Sequence, residues 1–250
     1  MSAAVAETVP KVVRDGLRQL VDELRGSLGD SLLSVVLFGD PARGEPIQVG
    51  HGDVRVMIVL ERVTTAELDQ VTPSVQRGIQ DFGLAPMILS LEELRRSTDV
   101  FPIKFLDMQQ HHLLLAGKDV LARLTIHDDH VRLRCEQELK NLNLRLHAMY
   151  VRSGGRSEPL RQFLERAIDP FLTSLWALIR LKQGSAPSRH AEVIAAASGL
   201  LETDGARLQQ ILRLRGDKSQ VPADKLKELF AGLMRDVQRA ALVADELKPA

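Results

Sequence analysis

The chain has a single cysteine, Cys135, no net charge and no apolar run of bilayer length. One cysteine excludes an internal disulfide framework and a Cys-based zinc site and fits a reducing compartment; the residue reads as a small core side chain on a helix. Thirty-three basic residues cancel thirty-three acidic ones, so no global field recruits nucleic acid or an anionic membrane. A membrane span needs about 20 apolar residues, which no segment supplies. The amino terminus, Met1-Ser2-Ala3-Ala4-Val5-Ala6-Glu7, meets an acid before any signal-like apolar core forms, so the expectation is a soluble cytoplasmic protein. Internal repeats and low-complexity tracts are missing too, and no serine or cysteine has a convincing partnered base for nucleophilic catalysis.

What is present is 44% hydrophobic content in 250 residues, enough for one large core or two smaller ones. Val13, Leu17, Leu20, Leu24 and Leu28 recur at intervals of three and four, which predicts an amphipathic helix. Leu32–Phe38 reads as a strand leading into the turn Gly39-Asp40-Pro41-Ala42-Arg43-Gly44-Glu45, and a second strand runs from about Asp53 to Leu60. Thr72-Pro73 predicts a helix start, with Val75, Ile79 and Phe82 on its buried face and Gly83 at its end. A third strand follows at Leu84–Leu89. Ser90 with Glu93 forms a capping-box pattern that opens a short helix through Arg96. Ile103–Met108 and His111–Leu115 then suit one or two further strands, closed by the turn Ala116-Gly117-Lys118-Asp119.

From about Asp129 every apolar pattern has helical spacing. Cys135, Leu139, Leu142, Leu146, Met149 and Tyr150 share one helix face, with Asp129 a plausible cap. The helix after Ser157-Glu158-Pro159 is apolar almost all round, including Phe171, Leu175, Trp176 and Ile179, which places it at the centre of a bundle. Ser188, Asp204 and Pro222 open three more helices. The expected architecture is therefore α+β: a mixed sheet flanked by helices over residues 1–128, then an all-α bundle over 129–250. His127-Asp128-Asp129-His130 invites a metal reading, but four consecutive side chains point in different directions. Arg213, Arg215 and Lys218 read as a solvated helix end.

The segments Val35-Val36-Leu37-Phe38-Gly39-Asp40-Pro41-Ala42-Arg43-Gly44 and Asp53-Val54-Arg55-Val56-Met57-Ile58-Val59 resemble the polymerase-beta-type nucleotidyltransferase superfamily, in particular a small bacterial two-domain branch with a C-terminal helical domain. The resemblance implies a nucleotidyltransferase fold over about residues 10–125. It implies that Gly39, Asp40, Arg43, Gly44 and Arg55 adjoin a nucleotide and that Asp53 is the first metal-binding acid. Two positions depart from the pattern. Asp40 stands where the family has serine. Arg55 stands where it has the second acid, and a guanidinium cannot ligate metal.

One carboxylate cannot cage two divalent ions, so the acid motif reads as degenerate and the role as nucleotide sensing or regulatory binding without catalysis. In that case no cofactor is expected. The alternative is an active enzyme moving a nucleoside monophosphate from an NTP to a hydroxyl of a small molecule, RNA or protein. Mg²⁺ would then arrive with the NTP, Asp53 would hold metal and Asp107 would be the base. A protein partner, or a second copy of the chain, would dock through the helical half.

Overall fold

The computed structural model describes residues 9–45, 54–215 and 219–247, in two compact units, Met1–Ile126 and His127–Ala250. In the first unit, helix α1 (Lys11–Leu28) buries Val13, Leu17, Leu20, Val21, Leu24 and Leu28 along one stripe. Strands β1 (Leu32–Phe38), β2 (Val54–Leu60), β3 (Leu84–Ser90) and β4 (His112–Gly117) form one mixed sheet in the order β3-β2-β1-β4. Strand β1 runs antiparallel to β2 and β4, and β2 runs parallel to β3. This is the expected α+β architecture.

Strand alternation separates two cores. Val35 and Leu37 of β1, with Val54, Val56 and Ile58 of β2, pack against α1 and helix α2 (Thr65–Phe82). Val36 and Phe38, with Met57 and Val59, pack on the other face against Leu94 of α3 (Leu91–Arg96) and Phe105 and Met108 of α4 (Pro102–Gln110). The register sets Arg55 opposite Phe38 on one side and Ala85 on the other. Arg55 therefore shares the α4 side of the sheet with Met57 and Val59.

Three expectations fail in this unit. Helix α2 begins at Thr65, and Pro73 sits inside it. A capping box fixes that start: Thr64 Oγ1 accepts from Ala66 N at 3.2 Å, and Glu67 accepts from Thr64 N at 3.1 Å. The Thr64 and Arg62 bonds to Glu67 outweigh desolvation and pull its carboxyl down to about 2. The stretch Ile103–Met108 is helical. Pro102 occupies the first helical position, where its missing N–H costs nothing, and the helix is apolar on two sides because Ile103, Phe105, Leu106 and Met108 are all buried. Ile79 is also 40% exposed rather than buried.

Among the described residues the second unit holds five helices: α5 (Asp128–Ser153), α6 (Ser157–Gln183), α7 (His190–Leu200), α8 (Gly205–Arg213) and α9 (Ala223–Glu246). The stripe Val131, Cys135, Leu139, Leu142 and Leu146 of α5 is buried, whereas Tyr150 is 43% exposed. Burial pushes the Cys135 thiol well up, so it is an inert core group, 3.4 Å from the Ser174 carbonyl. Asp204 caps α8 by accepting from Arg207 N at 3.1 Å. Two other expected caps do not form: α5 starts behind His127, with Asp129 already helical, and α7 starts behind Arg189, not Ser188.

One glycine closes the sheet edge. Gly117 has φ +79°, and a Cβ there would lie 2.1 Å from the Leu33 carbonyl oxygen, which accepts from Lys118 N at 2.9 Å. Both the backbone angle and the space exclude a side chain. Gly117→Ala is expected to destabilise the fold by about 2–3 kcal/mol, measured as a lowered urea midpoint with unchanged slope.

Candidate phosphate-binding site

The site is built at the end of β1. Phe38 enters Gly39, whose φ of 85° belongs to glycine, and a 3₁₀ turn Asp40–Arg43 follows, closed by left-handed Gly44 at φ 79°. The turn spends most of its amides on itself. Ala42 N and Arg43 N donate to the Gly39 carbonyl at 3.0 and 3.2 Å, Gly44 N donates to Pro41 O at 3.3 Å, and Glu45 N to Asp40 O at 2.9 Å. A phosphate approaching from this side would meet side chains rather than those four N–H groups.

Arg43 points inward and is only 7% exposed. Its guanidinium donates to Asp107 Oδ1 on α4, the same oxygen that lies 2.8 Å from His111 Nδ1. An ionised carboxylate only accepts, so Nδ1 of His111 carries the proton. Burial works to raise the Asp107 pKa, but the His111 bond and the Arg43 charge outweigh it and leave the carboxyl below its ordinary value. Asp107 thus clamps the turn to α4.

Two cations remain at the mouth. Arg55 is exposed and lies over Gly39: a Cβ on that glycine would sit 3.5 Å from Arg55 Cδ and 3.6 Å from Nη1. Lys104 stands on α4 one turn before Asp107. The residue is exposed, yet its ammonium is partly desolvated, and this together with the Arg55 charge holds its pKa below the ordinary lysine value. Among the described residues neither Arg55 nor Lys104 has a hydrogen-bonding or ion-pair partner.

Of the residues singled out in the sequence, Gly39, Arg43, Gly44, Arg55 and Asp107 gather here, with Asp40 half-buried in the turn. Asp53 lies outside the described residues. Lys104 was missed: the strand reading of Ile103–Met108 hid it, although Pro102 was a usable helix-start signal that would have set Lys104 and Asp107 one turn apart. Arg215 of the suspected basic cluster is tied to Asp169 at 2.7 Å, and Lys218 lies outside the described residues.

A two-metal centre needs clustered oxygen ligands. Among the described residues no three His, Cys, Asp or Glu side chains group as ligands would, and the mouth carries two positive side chains. The described residues alone do not supply such a centre, and Asp53 lies outside them.

No family model and no curated protein matches the chain significantly. Among solved structures it is similar to spectinomycin adenyltransferase AAD(9) from Enterococcus faecialis, solved with ATP and spectinomycin. The match has 12% identity and a TM-score of 0.53 over 90% of this chain and 99% of that one. The fold is nucleotidyltransferase-like. In this nucleotidyltransferase-like frame, the glycine turn after β1 and Arg55 on β2 occupy one end of the sheet, joined there by α4.

The clamp makes a separable prediction. Asp107→Ala removes a carboxylate from the buried Arg43 and is expected to lower stability by about 3 kcal/mol at neutral pH. Because the Asp107 pKa is lowered, its contribution is present above the unfolded carboxylate value of about 3.9 and is lost as pH falls through the folded value. Urea titrations from pH 7 to pH 2 should therefore show the gap between wild type and variant closing on the acid side.

Proposed function

We propose that this chain binds a nucleotide by its phosphates and serves as a sensor or regulatory module, with the metal-ligand position of the fold given over to Arg55. The observation that carries this reading is the pair of cations, Arg55 over Gly39 and Lys104 beside it, neither of them partnered among the described residues. A guanidinium binds phosphate oxygens by charge-assisted hydrogen bonds without a bridging ion. The nucleotide class is supported by the fold and by the ATP in the adenyltransferase structure.

An active transferase is the second reading, favoured by the likeness to an adenyltransferase. It would need Asp53 as metal ligand and Asp107 as base. The engagement of Asp107 with Arg43 and His111 weighs against that role, since a carboxylate held below its ordinary pKa is a weak base.

Titration calorimetry with ATP, in EDTA and then in excess Mg²⁺, separates the two. The sensor reading expects affinities within about threefold of each other, whereas an active site would gain tenfold or more with metal. Arg55→Asp is expected to weaken metal-free ATP binding about tenfold or more and to introduce Mg²⁺ dependence. Unchanged metal-free binding in that variant would overturn the role given to Arg55.

A further inference from the structure

We infer that the exposed ring of Phe101 is the platform on which the nucleobase stacks, so that the site takes a nucleoside di- or triphosphate in preference to a bare polyphosphate. The inference rests on the phosphate-binding reading above and extends it to a residue outside the turn motif. Phe101 is 45% exposed and stands immediately before α4. Lys104 follows three residues later, one helical turn away, about 5 Å along the axis. A nucleotide separates its base from its phosphates by one ribose, so an ammonium and an aromatic ring one turn apart match its two ends.

The ring is held in place before any ligand arrives. Phe101 N donates to Ser97 O at 2.9 Å, and Phe101 O accepts from Phe105 N at 3.1 Å, which fixes the backbone on both sides. Phe105 is buried, and the two rings meet edge to face with centroids 6.5 Å apart and planes at 76°. Contact with the core anchors Phe101 while nearly half of the residue stays open. A rigid aromatic loses little conformational entropy when a base lies on it. Val100, 52% exposed, adds apolar surface next to it.

The two hydroxyls next to the ring are already engaged, and the exposed Asp99 carboxylate can only accept, so stacking on the ring does not compete with them. Ser97 Oγ donates to Glu93 O at 2.7 Å and Thr98 Oγ1 to Arg95 O at 3.2 Å, so both hydroxyls are engaged by backbone carbonyls. Stacking tolerates any base in proportion to its ring area. Arg55 and Lys104 would take the charge, Phe101 the base, and the ribose would lie across the first turn of α4.

The test compares ATP with inorganic tripolyphosphate, both in EDTA, on wild type, Phe101→Ala and Phe101→Trp, by titration calorimetry. Phe101→Ala is expected to weaken ATP binding about tenfold and to leave tripolyphosphate affinity unchanged, and Phe101→Trp to restore ATP binding. Equal loss for both ligands, or no loss for ATP, would overturn the stacking role while the phosphate site stood. If wild type binds neither ligand, the phosphate reading itself fails and this inference falls with it. Circular dichroism melts of the variants show that any loss is not unfolding.

Discussion

The site depends on one buried charge cluster, Arg43 with Asp107 and His111. Arg43 belongs to the turn after β1, Asp107 and His111 to the end of α4, and 64 residues of chain separate the arginine from its carboxylate. Taking a guanidinium to 7% exposure is unfavourable unless a carboxylate meets it with good geometry. Once it does, the turn and the helix have one mutual position. The locations of Lys104 and Phe101 follow, because both are set by the helix that Asp107 anchors. The same engagement occupies Asp107 Oδ1 from two sides, by Arg43 and by His111.

Two cations, Arg55 and Lys104, stand at the mouth of the turn. The chain is neutral overall, so Arg55 and Lys104, which have no counter-charge among the described residues, are a local feature rather than an overflow of basic residues. Two neighbouring cations repel, and the folded state bears that cost continuously. A bound phosphate would relieve it, whereas a divalent metal would add to it. Acid pairs and cation pairs thus suit opposite ligands on the same strand ends.

Much of the fold was legible because its signals are local. Strand β1 and the part of β2 from Val54 follow from short β-rich apolar runs, and the Ser90–Glu93 box is realised by Glu93 N donating to Ser90 Oγ at 3.1 Å. The positive φ of Gly39 and Gly44 is likewise what a tight turn demands of its sequence. The errors arose where a local signal was ambiguous or was overridden. A helix buried on two sides has no polar stripe, so α4 looked like a strand, and Pro73 mimicked a helix start that the Thr64 box had already set. Of the site itself, the turn and Arg55 were visible. The burial of Arg43 was not, because its partners lie far along the chain, and neither was Lys104, because its position depends on the period assigned to its segment.

Gly39 has a narrower meaning than a phosphate-binding glycine usually carries. A Cβ there would meet Arg55 only at ordinary van der Waals distance, 3.5 Å, so the position is glycine for its backbone angle and not for lack of room. A plain strand-to-helix turn would make the same demand. The amides of Ala42, Arg43, Gly44 and Glu45 are bonded within the turn, which withdraws these four from a phosphate. The groups that stand above the glycine are side chains, Arg55 from β2 and Lys104 from α4. The turn itself is tied to α4 through Arg43 and Asp107.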